Sequence, residues 1–120
     1  MITHLKFASV PVSDQDRALA FYTEKLGFRV ATDQPFNEKQ RWIELRIGSS
    51  DTRFVLFTTD DGPKPGSPFA GALACDNVER TFEELSAKGV EFLGRPKAEP
   101  WGTFAIMKDP DGNQFVLSSR

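Results

Sequence analysis

Few residues of this chain have the chemistry to act on another molecule. The segment Arg41-Trp-Ile-Glu-Leu-Arg-Ile47 sets Trp42, Glu44 and Arg46 at every second position, and in an extended strand alternate positions project from one face. Glu44 beside Arg46 reads as a carboxylate kept ionised by a guanidinium. It serves either as an acid or base, or as a structural ion pair at the rim of a cleft. A carboxylate held at low pKa is a poor base near neutrality. Trp42 and Trp101 carry flat π faces of the kind that bind planar, apolar or cationic ligands, or that fill a core. His4, the only histidine, stands an odd number of residues from Phe7 near the chain start and is expected to point away from any site. One remote histidine cannot complete a Ser/His/Asp set. Cys75, the only cysteine, lies between Ala74 and Asp76 with no base beside it, so a strand-end thiol is expected rather than a nucleophile.

The remaining composition narrows the classes. Fifteen Lys+Arg against seventeen Asp+Glu leave a formal charge of −2 without a basic block, so nucleic acid is not an expected partner. There is no run of 18 apolar residues, and Met-Ile-Thr-His lacks the basic and apolar regions of a signal peptide. Neither a membrane nor export is expected. With a single cysteine no internal disulfide forms, and the reducing cytoplasm is the expected compartment. At 120 residues and 39% hydrophobic content, one domain with a core that needs no staple is the natural reading.

The elements that must position these residues come as a pattern that occurs twice. Phe7-Ala-Ser-Val-Pro-Val12 leads through Ser13-Asp14 into Arg17-Ala-Leu-Ala-Phe-Tyr-Thr-Glu-Lys-Leu26 and Gly27. Ala70-Gly-Ala-Leu-Ala-Cys75 leads through Asp76-Asn77 into Val78-Glu-Arg-Thr-Phe-Glu-Glu-Leu-Ser-Ala-Lys88 and Gly89. Asp or Asn at the N-cap, apolar residues at helical spacing and Gly at the C′ position predict helices over 16–26 and 78–88. Strand periodicity follows each glycine, at 28–30 and 90–92. A polar, proline-containing loop comes next, then two more strands, 41–47 with 54–57 and 103–107 with 114–117. Gly48-Ser-Ser-Asp51 and Asp109-Pro-Asp-Gly112 supply the turns. The unit is βαβββ, present over about 1–60 and 67–120, and the Gly/Pro-rich stretch Thr58 to Pro68 joins the copies.

Alternation assigns the faces. Ala8, Val10, Val12, Ile43, Leu45, Ile47, Phe54 and Leu56 are expected against the first helix, and Phe104, Ile106, Phe115 and Leu117 against the second. The opposite face is then lined by Phe7, Ser9, Trp42, Glu44, Arg46, Val55 and Phe57, with Trp101, Thr103, Ala105, Met107, Gln114 and Val116 from the second copy. Large apolar groups with a few polar ones are the make-up of a small-molecule cleft. A solvated sheet face or a dimer interface would have a similar make-up.

Arg17-Ala-Leu-Ala-Phe-Tyr-Thr-Glu-Lys-Leu-Gly-Phe28 and Lys108-Asp-Pro-Asp-Gly-Asn113 resemble the helix and closing turn of the vicinal oxygen chelate superfamily. That group includes glyoxalase I, methylmalonyl-CoA epimerase, extradiol dioxygenases, fosfomycin-modifying enzymes and bleomycin-resistance proteins. The resemblance covers essentially the whole chain. It implies an α+β fold of two βαβββ modules in an open, cupped mixed sheet, usually as a homodimer. It also implies metal-ligand positions at Phe7, Val55, Ala70 and Val116, none of which can donate a lone pair to a divalent ion. No metal or other cofactor is therefore expected. Two functions remain open. One is a metal-free binding protein of the bleomycin-resistance type that takes a hydrophobic or aromatic small molecule. The other is a metal-independent lyase or isomerase acting on a small carbonyl compound, with Glu44 as its acid or base.

Overall fold

The computed structural model describes residues 1–58, 62 and 64–119, and all but the side chain of Ala70 among them. Residues 59–61 and Pro63 of the expected join, and Arg120, lie outside the described residues. The chain divides into two compact units, Met1–Pro65 and Gly66–Arg120.

The first unit runs β1 (Phe7–Val10), α1 (Gln15–Ala20), a π-helical turn (Phe21–Lys25), β2 (Arg29–Pro35), β3 (Arg41–Arg46) and β4 (Arg53–Leu56). Asp14 starts α1, its side chain accepting from Arg17 N at 3.0 Å. Gly27 ends the helical stretch at φ +77°, a left-handed conformation that costs glycine nothing, and Phe28 N donates back to Tyr22 O. The strands order as β1-β4-β3-β2, with β1 parallel to β4 and the other pairs antiparallel. One face is sealed by the helix. Ile43, Leu45 and Leu56 are fully buried and Val10 and Phe54 nearly so, and Tyr22 meets Phe54 edge-on at 6.1 Å. Each such aliphatic side chain contributes about 1.5–3 kcal/mol by leaving water.

β2 is longer than its sequence pattern predicts. It continues past Val30 to Pro35 along β3, with a bulge at Ala31 where the register passes from Val30↔Leu45 to Thr32↔Glu44. Thr32-Asp33-Gln34 shows no apolar alternation because this is an edge strand, held by backbone pairing rather than burial.

The second unit runs β5 (Pro68–Ala74), α2 (Val78–Ala87), β6 (Glu91–Phe92), β7 (Lys97–Glu99), β8 (Gly102–Lys108) and β9 (Gln114–Ser118). Asn77 caps α2 through Arg80 N at 2.9 Å. The order is β5-β9-β8-β6, with β7 also on β8. β7 falls in the segment expected as loop and pairs only with the first residues of β8. At the closing turn, buried Asp109 accepts from Asp111 N, Asn113 N and Asn113 Nδ2, and Asn113 Oδ1 accepts from Gly66 N at 2.8 Å. The Asp-Pro-Asp-Gly-Asn motif thus ties the start of the unit to its last hairpin.

The expected face of β8 is overturned. Directly opposed residues of an antiparallel pair share a face, and the pairs are Ala105↔Leu117 and Met107↔Phe115. All four are buried. Met107 also pairs with Phe92 of β6, and Phe92 packs edge-on against Phe82 of α2 at 4.8 Å. Thr103, Ala105 and Met107 therefore lie on the helix side, and Phe104 and Ile106 lie opposite, with Val116. In Phe104-Ala-Ile-Met107 both phases of the alternation are apolar, so the sequence carries no polar phase to mark the outer face. The partner strand decides it.

Candidate functional site

The candidate site is the face of the first sheet opposite α1. β3 brings Trp42, Glu44 and Arg46 to it, β4 brings Arg53 and Val55, and β1 brings Phe7 and Ser9. The pairings Ser9↔Val55, Phe7↔Arg53, Glu44↔Val55 and Arg46↔Arg53 place these residues on one surface. Phe57 joins just beyond β4. Phe36, just beyond β2, folds onto the same surface because the lengthened β2 carries it there.

The aromatic rings form one cluster. Phe7 meets Trp42 edge-on at 5.6 Å, Trp42 lies 5.3 Å from Phe57, and Phe36 contacts both, at 5.9 Å to Trp42 and 5.0 Å to Phe57. Such rings usually pack away in a core, yet Phe7, Trp42 and Phe57 are only half-buried and Phe36 is 57% exposed. Phe36 stood in the expected loop and was not foreseen. Its only sequence signal is an aromatic flanked by Pro35 and Asn37.

Glu44 sits beside this cluster with both oxygens engaged. Trp42 Nε1 donates to Oε2 at 2.7 Å and Arg53 Nη1 donates to Oε1 at 2.8 Å. The Trp42 hydrogen bond, then that of Arg53, holds the carboxyl below its ordinary range against the opposing effect of burial, with the charges of Arg53 and Lys6 adding to the shift. The ion pair expected with Arg46 is not the one formed. Arg46 shares the face but is exposed and forms no ion pair among the described residues, and the partner comes from the neighbouring strand. Arg53 stands diagonally across from Glu44, where a long side chain reaches back over Val55. Arg41, on the other face, bridges Asp16 and Asp33 at 2.9 Å each.

The other predicted residues divide. Ser9 is exposed and adjoins Val55. Val116 lies on the non-helix face of the second sheet with Ile106, and Gln114 pairs with Lys108 on that same face. Trp101 does not stand with Thr103 and Met107 as expected. It stacks on Phe104 at 5.5 Å and 24°, 60% exposed. Thr103 and Met107 are turned to α2, and Met107 is buried. Leu93, Arg95, Lys97, Phe104 and Ile106 line a shallow cavity on this unit. His4 is exposed and bonds only its neighbour Thr3 among the described residues. Cys75 follows β5 with its thiol pushed up, first by burial, and is thereby less reactive.

Of the four metal-ligand positions implied by resemblance, Phe7 and Val55 share the first sheet's site face. On the second sheet Val116 pairs with Ala72, not Ala70, across a register shift in β5. Among the described residues no three His, Cys, Asp or Glu side chains come together as a metal site would require.

A sequence model described as the Glyoxalase/Bleomycin resistance protein/Dioxygenase superfamily matches residues 2–117. The chain belongs to this superfamily. It is similar to an uncharacterised protein, YetH, of Bacillus subtilis, at 38% identity over 98% of both chains. It is 33% identical over 91% of its length to a probable chloroplastic lactoylglutathione lyase of Arabidopsis thaliana, of which it spans 33%. Among solved structures it superposes on TnmS3, an antibiotic-binding protein from Streptomyces sp. CB03234. The TM-score is 0.87 at 38% identity, covering 98% of this chain and 96% of that one. A superfamily member from Sphaerobacter thermophilus matches at TM-score 0.91 and 31% identity, over 99% and 98% of the two chains. The α+β architecture of two mixed sheets and few helices is that of these relatives.

Proposed function

We propose that the chain is a metal-independent binding protein that takes a hydrophobic or aromatic small molecule on the first sheet's aromatic face. The single observation that carries this reading is the half-exposed cluster of Phe7, Phe36, Trp42 and Phe57 beside the Glu44–Arg53 pair. Partly exposed rings retain free π surface and release water when a flat ligand covers them. Ser9 and Arg46 border that surface, Val55 shares the face but is fully buried, and Val116 and Trp101 offer a second apolar surface on the other unit, next to Phe104. Similarity to an antibiotic-binding protein supports the same class of ligand. Hydrocarbon side chains at positions 7, 55, 70 and 116 do not fit a divalent metal, which needs imidazole, carboxylate or thiolate donors.

Glu44 as acid or base of a lyase or isomerase is the weaker reading. Both of its oxygens already accept hydrogen bonds, and its lowered pKa leaves little basicity near neutrality. We further propose a cytoplasmic homodimer. Exposed Val30, Phe36, Leu93 and Trp101 supply apolar surface for a second copy to cover, and the unpaired Cys75 thiol suits a reducing compartment.

Calorimetric titration with planar aromatic probes tests the proposal. Trp42→Ala is expected to weaken binding by about 1–3 kcal/mol. Unchanged affinity would refute the site. Turnover of a carbonyl compound that Glu44→Gln abolishes would instead establish the enzyme.

A further inference from the structure

The pairing of the first sheet has a consequence for the charge of the ligand. Arg29 stands directly opposite Arg46, and Arg46 directly opposite Arg53. Three arginines thus form one row across β2, β3 and β4 on the site face, and β1 ends the row with Phe7 opposite Arg53. Facing side chains of such pairs lie about 4.5–5.5 Å apart at Cβ, and like charges placed so destabilise a sheet. Among the described residues one carboxylate answers the row: Glu44, bound to Arg53. Arg29 and Arg46 are exposed and form no ion pair among the described residues. The neighbouring positions of the face, Ser9, Trp42, Val55, Thr32 and Gln34, carry no charge. Asp33 and Asp16 are engaged by Arg41 on the opposite face, and Asp51 in the adjoining turn pairs with none of the three.

We propose that this row is an anion-recognition site and that the ligand of the aromatic face is an aromatic compound bearing a carboxylate or another oxyanion. The inference rests on the aromatic-face reading above and specifies its ligand class. Guanidinium forks suit planar oxyanions, which they bind through paired, charge-assisted hydrogen bonds. Glu44 holds Arg53 in place while leaving most of its donors free. The geometry sets the ligand's length. Successive same-face positions of β3 lie about 6.6–6.8 Å apart, so Trp42 and Arg46 are separated by roughly two such steps. Phe7, opposite Arg53 and in contact with Trp42, bridges the interval. A fused aromatic acid of two or three rings spans it, with rings over Trp42 and Phe57 and its anionic group at Arg46 and Arg29. An uncompensated like-charge row disfavours the empty protein and is relieved when the anion arrives.

The test is calorimetric titration of the full chain with 2-naphthoate and with its neutral isostere 2-naphthamide, at low and high salt. The carboxylate is expected to bind about tenfold more tightly than the amide at low salt, with the advantage falling as salt rises. In the Arg29→Gln/Arg46→Gln double variant the two probes should converge, because the carboxylate loses its charge-assisted partners. The variant's thermal midpoint should equal or exceed the parent's, because removing an unpaired row relieves repulsion. Equal affinity for both probes, or a carboxylate preference that survives the double substitution, would overturn the anion site and leave the aromatic face intact. Failure of both probes to bind would overturn the aromatic-face reading and this one with it. A lowered thermal midpoint would show that Arg29 and Arg46 are structural.

Discussion

Replacing Glu44 by glutamine tests the polar centre of the site. The carboxylate presents two acceptors, one to Trp42 Nε1 at 2.7 Å and one to Arg53 Nη1 at 2.8 Å, and the side chain is only 15% exposed. Glutamine offers one acceptor and one NH2 group. Whichever way the amide turns, its NH2 faces a donor, so one hydrogen bond is lost and the other ceases to be charge-assisted. Hydrogen bonds to charged groups contribute about 1.5–3 kcal/mol, and Arg53 would also lose its carboxylate partner. A loss of about 2 kcal/mol is expected at pH 7. For a chain of this size that lowers the urea midpoint by about 1 M. Because the native carboxyl titrates below its ordinary value, its stabilisation is complete above the unfolded pKa and disappears as pH falls through the native one. The difference between parent and Glu44→Gln should therefore be constant above about pH 5 and shrink in more acidic solution. An unchanged midpoint at pH 7, or a difference that does not close in acid, would refute the argument.

Met107→Ala should cost about 2–5 kcal/mol in urea unfolding, as buried methionine positions do, whereas Ile106→Ala on the opposite, partly exposed face should cost clearly less. The reverse order would restore the original face assignment. Asn113→Ala removes an acceptor from Gly66 N and a donor from buried Asp109. A loss of about 1–3 kcal/mol is expected in thermal or urea unfolding, and a neutral result would mean the turn holds without the network. Sedimentation at micromolar concentration should give twice the 13.4 kDa chain mass if the proposed homodimer forms, and the monomer mass if it does not.

The sequence by itself determined the elements whose causes are local. Asp14 and Asn77 start helices because their side chains satisfy the first free amides, and Gly27 and Gly89 end them at positive φ. In β3 the aliphatic phase of Ile43 and Leu45 against the polar phase of Glu44 and Arg46 was enough to orient the strand, because burial accepts only one of them. Where a segment lacks that contrast, its neighbours decided. β8 is apolar in both phases, so only its pairing with β9 turned Met107 toward α2 and Phe104 away. β2 beyond Val30 is polar in both, so only the edge of β3 drew it into the sheet and laid Phe36 against Trp42. The choice of Arg53 over Arg46 as the partner of Glu44, and the alignment of Arg29, Arg46 and Arg53, depend on the register between strands separated by turns and a bulge. That register is set by the packing of the whole unit, and a shift of one residue would send every one of these side chains to the opposite face.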